Sequence, residues 1–225
     1  MGNIEDERLF NNLISSIAAY GYPIYDANEL VRYSMNNKDE FLISKLISSL
    51  NQFKEISYKD TIVRSLTKKN LTVVTKILIN EFHKPNEIRY LWVVGNALYT
   101  IEDTRFITEY LQIIRNRELR NSRQMLVLFF GKKKFHSEEA KKILIQLLSD
   151  YEVSNHALDS LSKYKGPALF DLVQEHISEK TRIEFFENLK SLKKYYPDDF
   201  YIQAIDIKGS WSLRVKTAKK FKSSY

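Results

Sequence analysis

Apolar residues recur every three or four positions along most of the chain, which is the spacing of one face of an α-helix. The segments FITEYLQIIRN (residues 106–116) and EAKKILIQLLSD (residues 139–150) show this pattern most clearly. Strand-like alternation of apolar and polar residues, bounded by turn residues, does not recur anywhere in the sequence. Pro23, Pro85 and Gly131 fall between the periodic segments, where they predict short loops. The pattern therefore predicts an all-α fold.

A block of eight residues repeats along the chain, as KDTIVRSL, LWVVGNAL, RQMLVLFF and SNHALDSL. The blocks end at Leu66, Leu98, Phe130 and Leu161, in steps of 32, 32 and 31 residues, and weaker copies end at Leu189 and Phe221. The positions four and three residues before each of the first four ends lie on the same helical face and are apolar or small: Ile62 and Val63, Val94 and Gly95, Leu126 and Val127, Ala157 and Leu158. Another amphipathic segment separates successive blocks. A two-helix unit that repeats with this period indicates a solenoid, because each pair buries its apolar face only against its neighbours.

The blocks LWVVGNAL, SRQMLVLFFGKKK, DYEVSNHALDSLSKYK and SWSLRVKTAKKF resemble the second helices of the HEAT-repeat family. Asp150 stands in the turn before such a helix, and Arg123, Arg182 and Arg214 stand early in one, as is common in that family. The resemblance covers roughly residues 38–223 and is strongest over residues 86–165.

This resemblance implies a right-handed α-solenoid of about five or six helix pairs, forming a single domain over residues 1–225. Residues 1–37 keep no clear register with the repeat, so we expect them to form a divergent N-terminal cap. Residues 208–225 contain an apolar helical face formed by Leu213, Ala218 and Phe221. We expect this segment to be a basic C-terminal capping helix.

A second stripe follows the same helices, at six and two positions before each block end, and it is largely polar. If these helices line the inner side of the curve, as in HEAT proteins, the stripe faces a concave groove. A Trp among amides and charges is typical of a surface that recognises a partner. We therefore predict a protein-binding site made of Asp60, Arg64, Trp92, Asn96, Gln124, Asn155 and Asp159. The alternative interpretation is that Asp60 and Arg64 form an ordinary exposed helix pair and that Trp92 fills a gap between repeats.

The net charge of +7 suggests a polyanionic partner, but the positions of the basic residues along the chain change this interpretation. Residues 208–225 hold six basic residues and no acidic one, so residues 1–207 hold 29 basic and 28 acidic residues. Nucleic acid therefore remains a possible partner but a disfavoured one, because tracking phosphates requires cations clustered in the groove.

Motifs for catalysis and for metal binding are missing from the sequence. The four His residues are far apart in sequence, and neither H-E-x-x-H nor recurring His-Glu dipeptides occur. G-x-S-x-G, G-x-x-x-x-G-K-[ST] and G-x-G-x-x-G are absent as well. We therefore expect no enzymatic activity, no metal and no cofactor.

Two hypotheses remain for the function. The first is a protein-binding scaffold, adaptor or inhibitor, and the alternative is a nucleic-acid-binding or DNA-base-processing protein on the same kind of scaffold. The absence of Cys fits a reducing cytoplasm. The sequence lacks a signal peptide and a spanning apolar run, so we expect a cytoplasmic monomer without membrane association.

Overall fold

The computed structural model describes residues 4–37, 39–161 and 163–164, and within these ranges all regular structure is helical. This finding confirms the predicted all-α fold. The described residues divide into two compact units, with the boundary between Arg105 and Phe106. No helix in the described part of the chain is long and apolar enough to cross a membrane.

The described part of the first unit contains six α-helices, joined by short loops. They are α1 (Ile4–Ala19), α2 (Ala27–Asn36), α3 (Glu40–Leu50), α4 (Ile56–Ser65), α5 (Thr75–Glu81) and α6 (Ile88–Ile101). Helix α4 is central, since it packs against α2, α3 and α6, while α5 packs against α6 and α1 against α3. The helices α2, α4 and α6 thus form a row in which each contacts the next.

Aspartate side chains cap the first turns of two of these helices, α2 and α3. Asp26 accepts a hydrogen bond from the backbone N–H of Glu29 at 2.8 Å, and Asp39 accepts one from Leu42 at 3.0 Å. Both satisfy amide groups that have no partner within their own helix. Asp6 of α1 is fully buried and accepts hydrogen bonds from the backbone N–H groups of Lys54 and Glu55, just before α4. A single carboxylate therefore links α1 to the start of the central helix.

The described part of the second unit contains four α-helices. They are α7 (Ile107–Arg115), α8 (Gln124–Phe129), α9 (Glu138–Gln146) and α10 (Ser154–Leu161). Helix α10 packs against α8 and α9, and α7 packs against α8 and α9. A 3₁₀ stretch over Arg117–Arg123 leads into α8. Helices α7 and α9 occupy the two segments whose apolar spacing is clearest in the sequence.

A buried ion pair links the start of α8 to the turn before α10 in this unit. The side chain of Arg123 is fully buried, and its Nη2 donates to Oδ2 of Asp150 at 2.8 Å. Its Nη1 and Nε donate to the backbone carbonyls of Ile114 and Arg120, each at 2.8 Å. The guanidinium is therefore satisfied on several sides, which a buried charge requires. Arg123 and Asp150 are two of the residues on which the resemblance to HEAT repeats depends.

The repeated apolar positions belong to the core in the described part of both units. Each of the four block ends from Leu66 to Leu161 is at most 1% exposed. The positions three and four residues before them are also buried, including Gly95. The later block ends, Leu189 and Phe221, lie outside the described residues, as do Arg182, Arg214 and the predicted helix at residues 208–225.

The predicted N-terminal cap, residues 1–37, contains helices α1 and α2 in its described part. Helix α2 keeps the repeat register, because its fully buried residues Leu30 and Ser34 precede Ile62 and Leu66 by 32 positions. The register is hidden in the sequence because a Ser occupies the position where the later blocks have Leu or Phe. In this respect α2 is more regular than the sequence indicates.

Candidate binding groove of the first unit

The surface of the first unit contains an open groove of about 780 Å³. It lies along α2, α4 and the N-terminal end of α6. The groove is lined by Ala27, Asn28, Val31, Arg32, Met35, Asn36, Ile56, Ser57, Asp60, Thr61, Arg64, Glu87, Arg89 and Tyr90. Two residues of the predicted binding stripe, Asp60 and Arg64, belong to this lining.

The repeat register explains which residues of α2 reach the groove. Asn28 and Arg32 precede Asp60 and Arg64 by 32 positions each. They therefore occupy on α2 the stripe positions that Asp60 and Arg64 occupy on α4, and all four line the groove. The sequence prediction missed Asn28 and Arg32, although the 32-residue spacing is the signal that identifies them.

Asp60 and Arg64 form an ion pair along α4. The Nε of Arg64 contacts Oδ1 of Asp60, and Nη2 lies 3.3 Å from Oδ2, which is a fork-like arrangement one helical turn apart. The Arg64 side chain is about half exposed and the Asp60 side chain about one-fifth exposed. An exposed pair of this kind contributes only about 0.2–0.5 kcal/mol to stability. The pair is thus available to a partner at little cost to the fold.

The other charged residues of the groove come from its two sides. Arg32 on α2 and Arg89 on α6 are both exposed, and neither makes an ion pair with any described residue. Glu87, which precedes α6, is exposed too and makes no capping hydrogen bond with its side chain. Met35 adds an apolar contact surface, since it is 59% exposed. The groove therefore combines guanidinium groups, carboxylates and apolar side chains.

Tyr90 is fixed in position by a buried carboxylate. Its hydroxyl donates to Oε2 of Glu81 at 3.0 Å, and both side chains are fully buried. The Nζ of Lys59 lies 3.6 Å from the same oxygen, while the Nζ of Lys84 contacts Oε1. Burial raises the pKa of Glu81, but these contacts outweigh it and hold the pKa below its usual value. An ionised Glu81 thus fixes the loop before α6 and, with it, one side of the groove.

Trp92 and Asn96 occupy the equivalent stripe positions on α6, and both are half-buried. Neither is among the residues that line the groove. At the N-terminal end of α6 the lining is formed by Glu87, Arg89 and Tyr90 instead. The stripe of the first unit therefore leads from the groove onto the surface of α6.

The stripe residues of the second unit are engaged in contacts within that unit. The amide of Gln124 donates to the backbone carbonyl of Glu152 at 3.0 Å. Asp159 is 8% exposed and makes an ion pair of 2.8 Å with Lys163. Asn155 is half-buried, and its Oδ1 is buried without a hydrogen-bond partner. A partner thus reaches Asp60 and Arg64 more readily than Asp159.

His156 adjoins the stripe on α10. Burial lowers its pKa, although the nearby charge of Asp159 acts in the opposite direction. The imidazole is half-buried and is therefore held neutral at this position. In the described part of the chain, no three His, Asp or Glu side chains are grouped so that they could hold a metal ion.

Comparison with family models, with curated proteins and with solved structures finds no match for this chain.

Proposed function

We propose that this protein is a non-enzymatic scaffold, adaptor or inhibitor that binds another protein through the stripe of its repeated second helices. The observation that carries the proposal is the groove of about 780 Å³ along α2, α4 and α6, where stripe residues of two successive repeats lie together. A surface that mixes Arg, Met and carboxylate side chains suits protein recognition better than it suits a polyanion.

The proposed architecture is a right-handed α-solenoid of about five or six HEAT-like helix pairs. Two features support it. The buried positions recur in steps of 31 or 32 residues in each unit. The pair of Arg123 and Asp150 connects α8 with the turn before α10, and so joins one helix pair to the next.

The test begins with affinity capture from the native cytosol, washed at high salt, and continues with the affinity of the captured protein for two double variants. Replacing Asp60 and Arg64 together by Ala removes the pair without leaving an unpaired charge. We expect binding to weaken by about 2 kcal/mol or more, as at an interface hot spot. The matched control replaces Glu5 and Lys54, an ion pair whose side chains are 67% and 75% exposed, by Ala. The control is expected to bind as the original protein does, and equal binding by both double variants would remove the groove from the interface.

Trp92 extends the test along α6. We expect Trp92→Ala to weaken binding with a small loss of stability, because its side chain is only half-buried. Leu98→Ala is its counterpart in the core, and it should lower the free energy of unfolding by about 2–5 kcal/mol without a specific defect in binding. If Trp92→Ala unfolds the protein as Leu98→Ala does and leaves residual affinity unchanged, Trp92 is a packing residue only.

A further inference from the structure

We infer that the groove along α2, α4 and α6 recognises an acidic segment of its protein partner, with Arg32 and Arg89 as the two cationic contacts. This inference rests on the proposed function and adds the chemistry of the partner.

The inference follows from which charges in the groove are already compensated. Three guanidinium groups and two carboxylates line it. Arg64 is held by Asp60 through two contacts, so these two charges largely cancel. Arg32 and Arg89 have no ion-pair partner among the described residues, and only Glu87 opposes them within the lining. The groove therefore offers two guanidinium groups, from opposite sides, to a ligand.

The charge excess belongs to the groove and not to the unit as a whole. Residues 1–105 contain 13 basic and 13 acidic residues, so the unit is neutral. An acidic segment thus gains nothing from the average charge of this surface, and it gains most where two uncompensated Arg side chains face the same groove. Arg is also the residue whose planar group fits a carboxylate with two parallel hydrogen bonds.

The apolar part of the lining indicates which other side chains the acidic segment of the partner carries. Met35 is 59% exposed and lies with Val31 and Ile56 in the lining. Met adapts its shape to the side chain that contacts it. We therefore expect an amphipathic acidic segment, whose carboxylates contact the guanidinium groups and whose apolar side chain covers Met35.

A nucleic-acid ligand fits the same groove less well. A phosphate backbone repeats its charge at regular intervals and requires a continuous track of cations. Asp60 and Glu87 interrupt such a track here. Carboxylates at two positions of a peptide avoid this repulsion, because the residues between them are free to be neutral.

The experiment selects ligands for the full chain from a random dodecapeptide phage library, and then measures the affinity of the enriched sequences as synthetic peptides. We expect the enriched peptides to carry at least two Asp or Glu residues. Their counterparts with Gln for Glu and Asn for Asp should bind at least about tenfold more weakly, because each lost charge-assisted hydrogen bond is worth more than a neutral one. The variant Arg32→Gln, Arg89→Gln should show the same loss.

The matched control is the variant Arg8→Gln, Lys69→Gln, which removes two exposed positive charges from the same unit outside the groove. It should bind the acidic peptides as the original chain does, and this result would exclude a general attraction to the basic protein.

Three results would overturn the inference. The enriched peptides are not acidic, both double variants bind them equally, or only labelled single-stranded oligothymidylate binds in a manner that depends on Arg32 and Arg89. Loss of the captured partner in the Asp60 and Arg64 variant, but not in the Arg32 and Arg89 variant, overturns the acidic chemistry while leaving the proposed function standing. If no peptide is enriched and no protein is captured, both fail.

Discussion

At the scale of single residues, the charges of this protein divide into those that the fold uses and those that it leaves exposed. Glu81 and Arg123 are both fully buried, and each is surrounded by partners that offset the cost of removing its charge from water. Arg32 and Arg89 are exposed and have no ion-pair partner among the described residues. The buried charges therefore hold helices together, and the exposed ones are the candidates for recognition.

Glu81 gives a pH-dependent prediction at this scale. Its pKa lies below the usual 4.5 because Lys84, Lys59 and Tyr90 outweigh the effect of burial. The stability it contributes is therefore present above about pH 4.5 and is lost as the pH falls through the lower pKa of the folded state. We expect Glu81→Gln to lower the free energy of unfolding at neutral pH by about 1–3 kcal/mol. Below pH 4.5, the stability of the variant should fall less than the stability of the original protein.

Urea denaturation at neutral and acid pH measures both effects. Glu5→Gln is the control, since Glu5 pairs with Lys54 at the exposed surface, and we expect it to change stability by less than about 0.5 kcal/mol. A Glu81→Gln variant with unchanged acid dependence would show that Glu81 is not the carboxylate responsible.

At the scale of helices, the sequence predicts what depends on burial and misses what depends on local geometry. The buried columns that end at Leu66, Leu98, Phe130 and Leu161 were predictable, because water exclusion requires apolar residues at helical spacing. The 3₁₀ stretch over Arg117–Arg123 was not, because 3₁₀ and α-helices share similar polar and apolar spacings over one turn. Its kink is at Arg120, whose φ of 45° is unusual for a residue with a side chain.

The residues of the candidate groove also divide into those that the sequence predicts and those that it does not. Asp60 and Arg64 were predictable from their spacing of four residues on a repeated helix, and Arg32 is recoverable from the 32-residue period. Glu87 and Arg89 were not, because they lie at the start of α6, outside the repeated columns. Their position in the groove depends on where the loop before α6 ends, which the buried contacts of Glu81 determine.

Gly131 gives a prediction at the scale of helix packing. It lies just after α8, where an added Cβ would come within 2.9 Å of both Cα and Oγ of Ser160 on α10. The Oγ of Ser160 in turn donates to the backbone carbonyl of Val127 at 2.8 Å, so α8 and α10 are closely held at this point. Gly131→Ala must push α10 away from α8, and we expect a loss of about 1–3 kcal/mol in the free energy of unfolding.

Thermal and chemical denaturation of the variant measures this loss. Ser149→Ala, an exposed change in the same unit, is the control and should stay within about 0.5 kcal/mol of the original protein. Unchanged stability of Gly131→Ala would mean that α10 moves aside at no cost and that the close approach is not a constraint.

At the scale of the whole molecule, two sources of positive charge must be separated. One is the pair of exposed Arg side chains in the groove of a neutral unit. The other is the segment of residues 208–225, which lies outside the described residues and contains six basic residues without an acidic one. A polyanion is attracted to such a segment with little specificity, and the attraction weakens as salt rises. The contacts of Arg32 and Arg89 with carboxylates weaken with salt too, because both side chains are exposed, so a variant and not the salt dependence separates the two sources.

Deletion of residues 208–225 separates the two sources. The shortened chain retains a net charge of +1 in place of +7, so we expect it to elute from a heparin column at much lower salt than the full chain. Its affinity for the acidic peptides whose binding depends on Arg32 and Arg89 should be unchanged, since the groove is intact.

We also expect the shortened chain to have a lower melting temperature, because the sequence predicts that Leu213, Ala218 and Phe221 cover the last apolar face of the repeats. An equal melting temperature would show that the segment is a loose basic tail. Loss of peptide binding on deletion would place the acidic ligand on that tail and not in the groove.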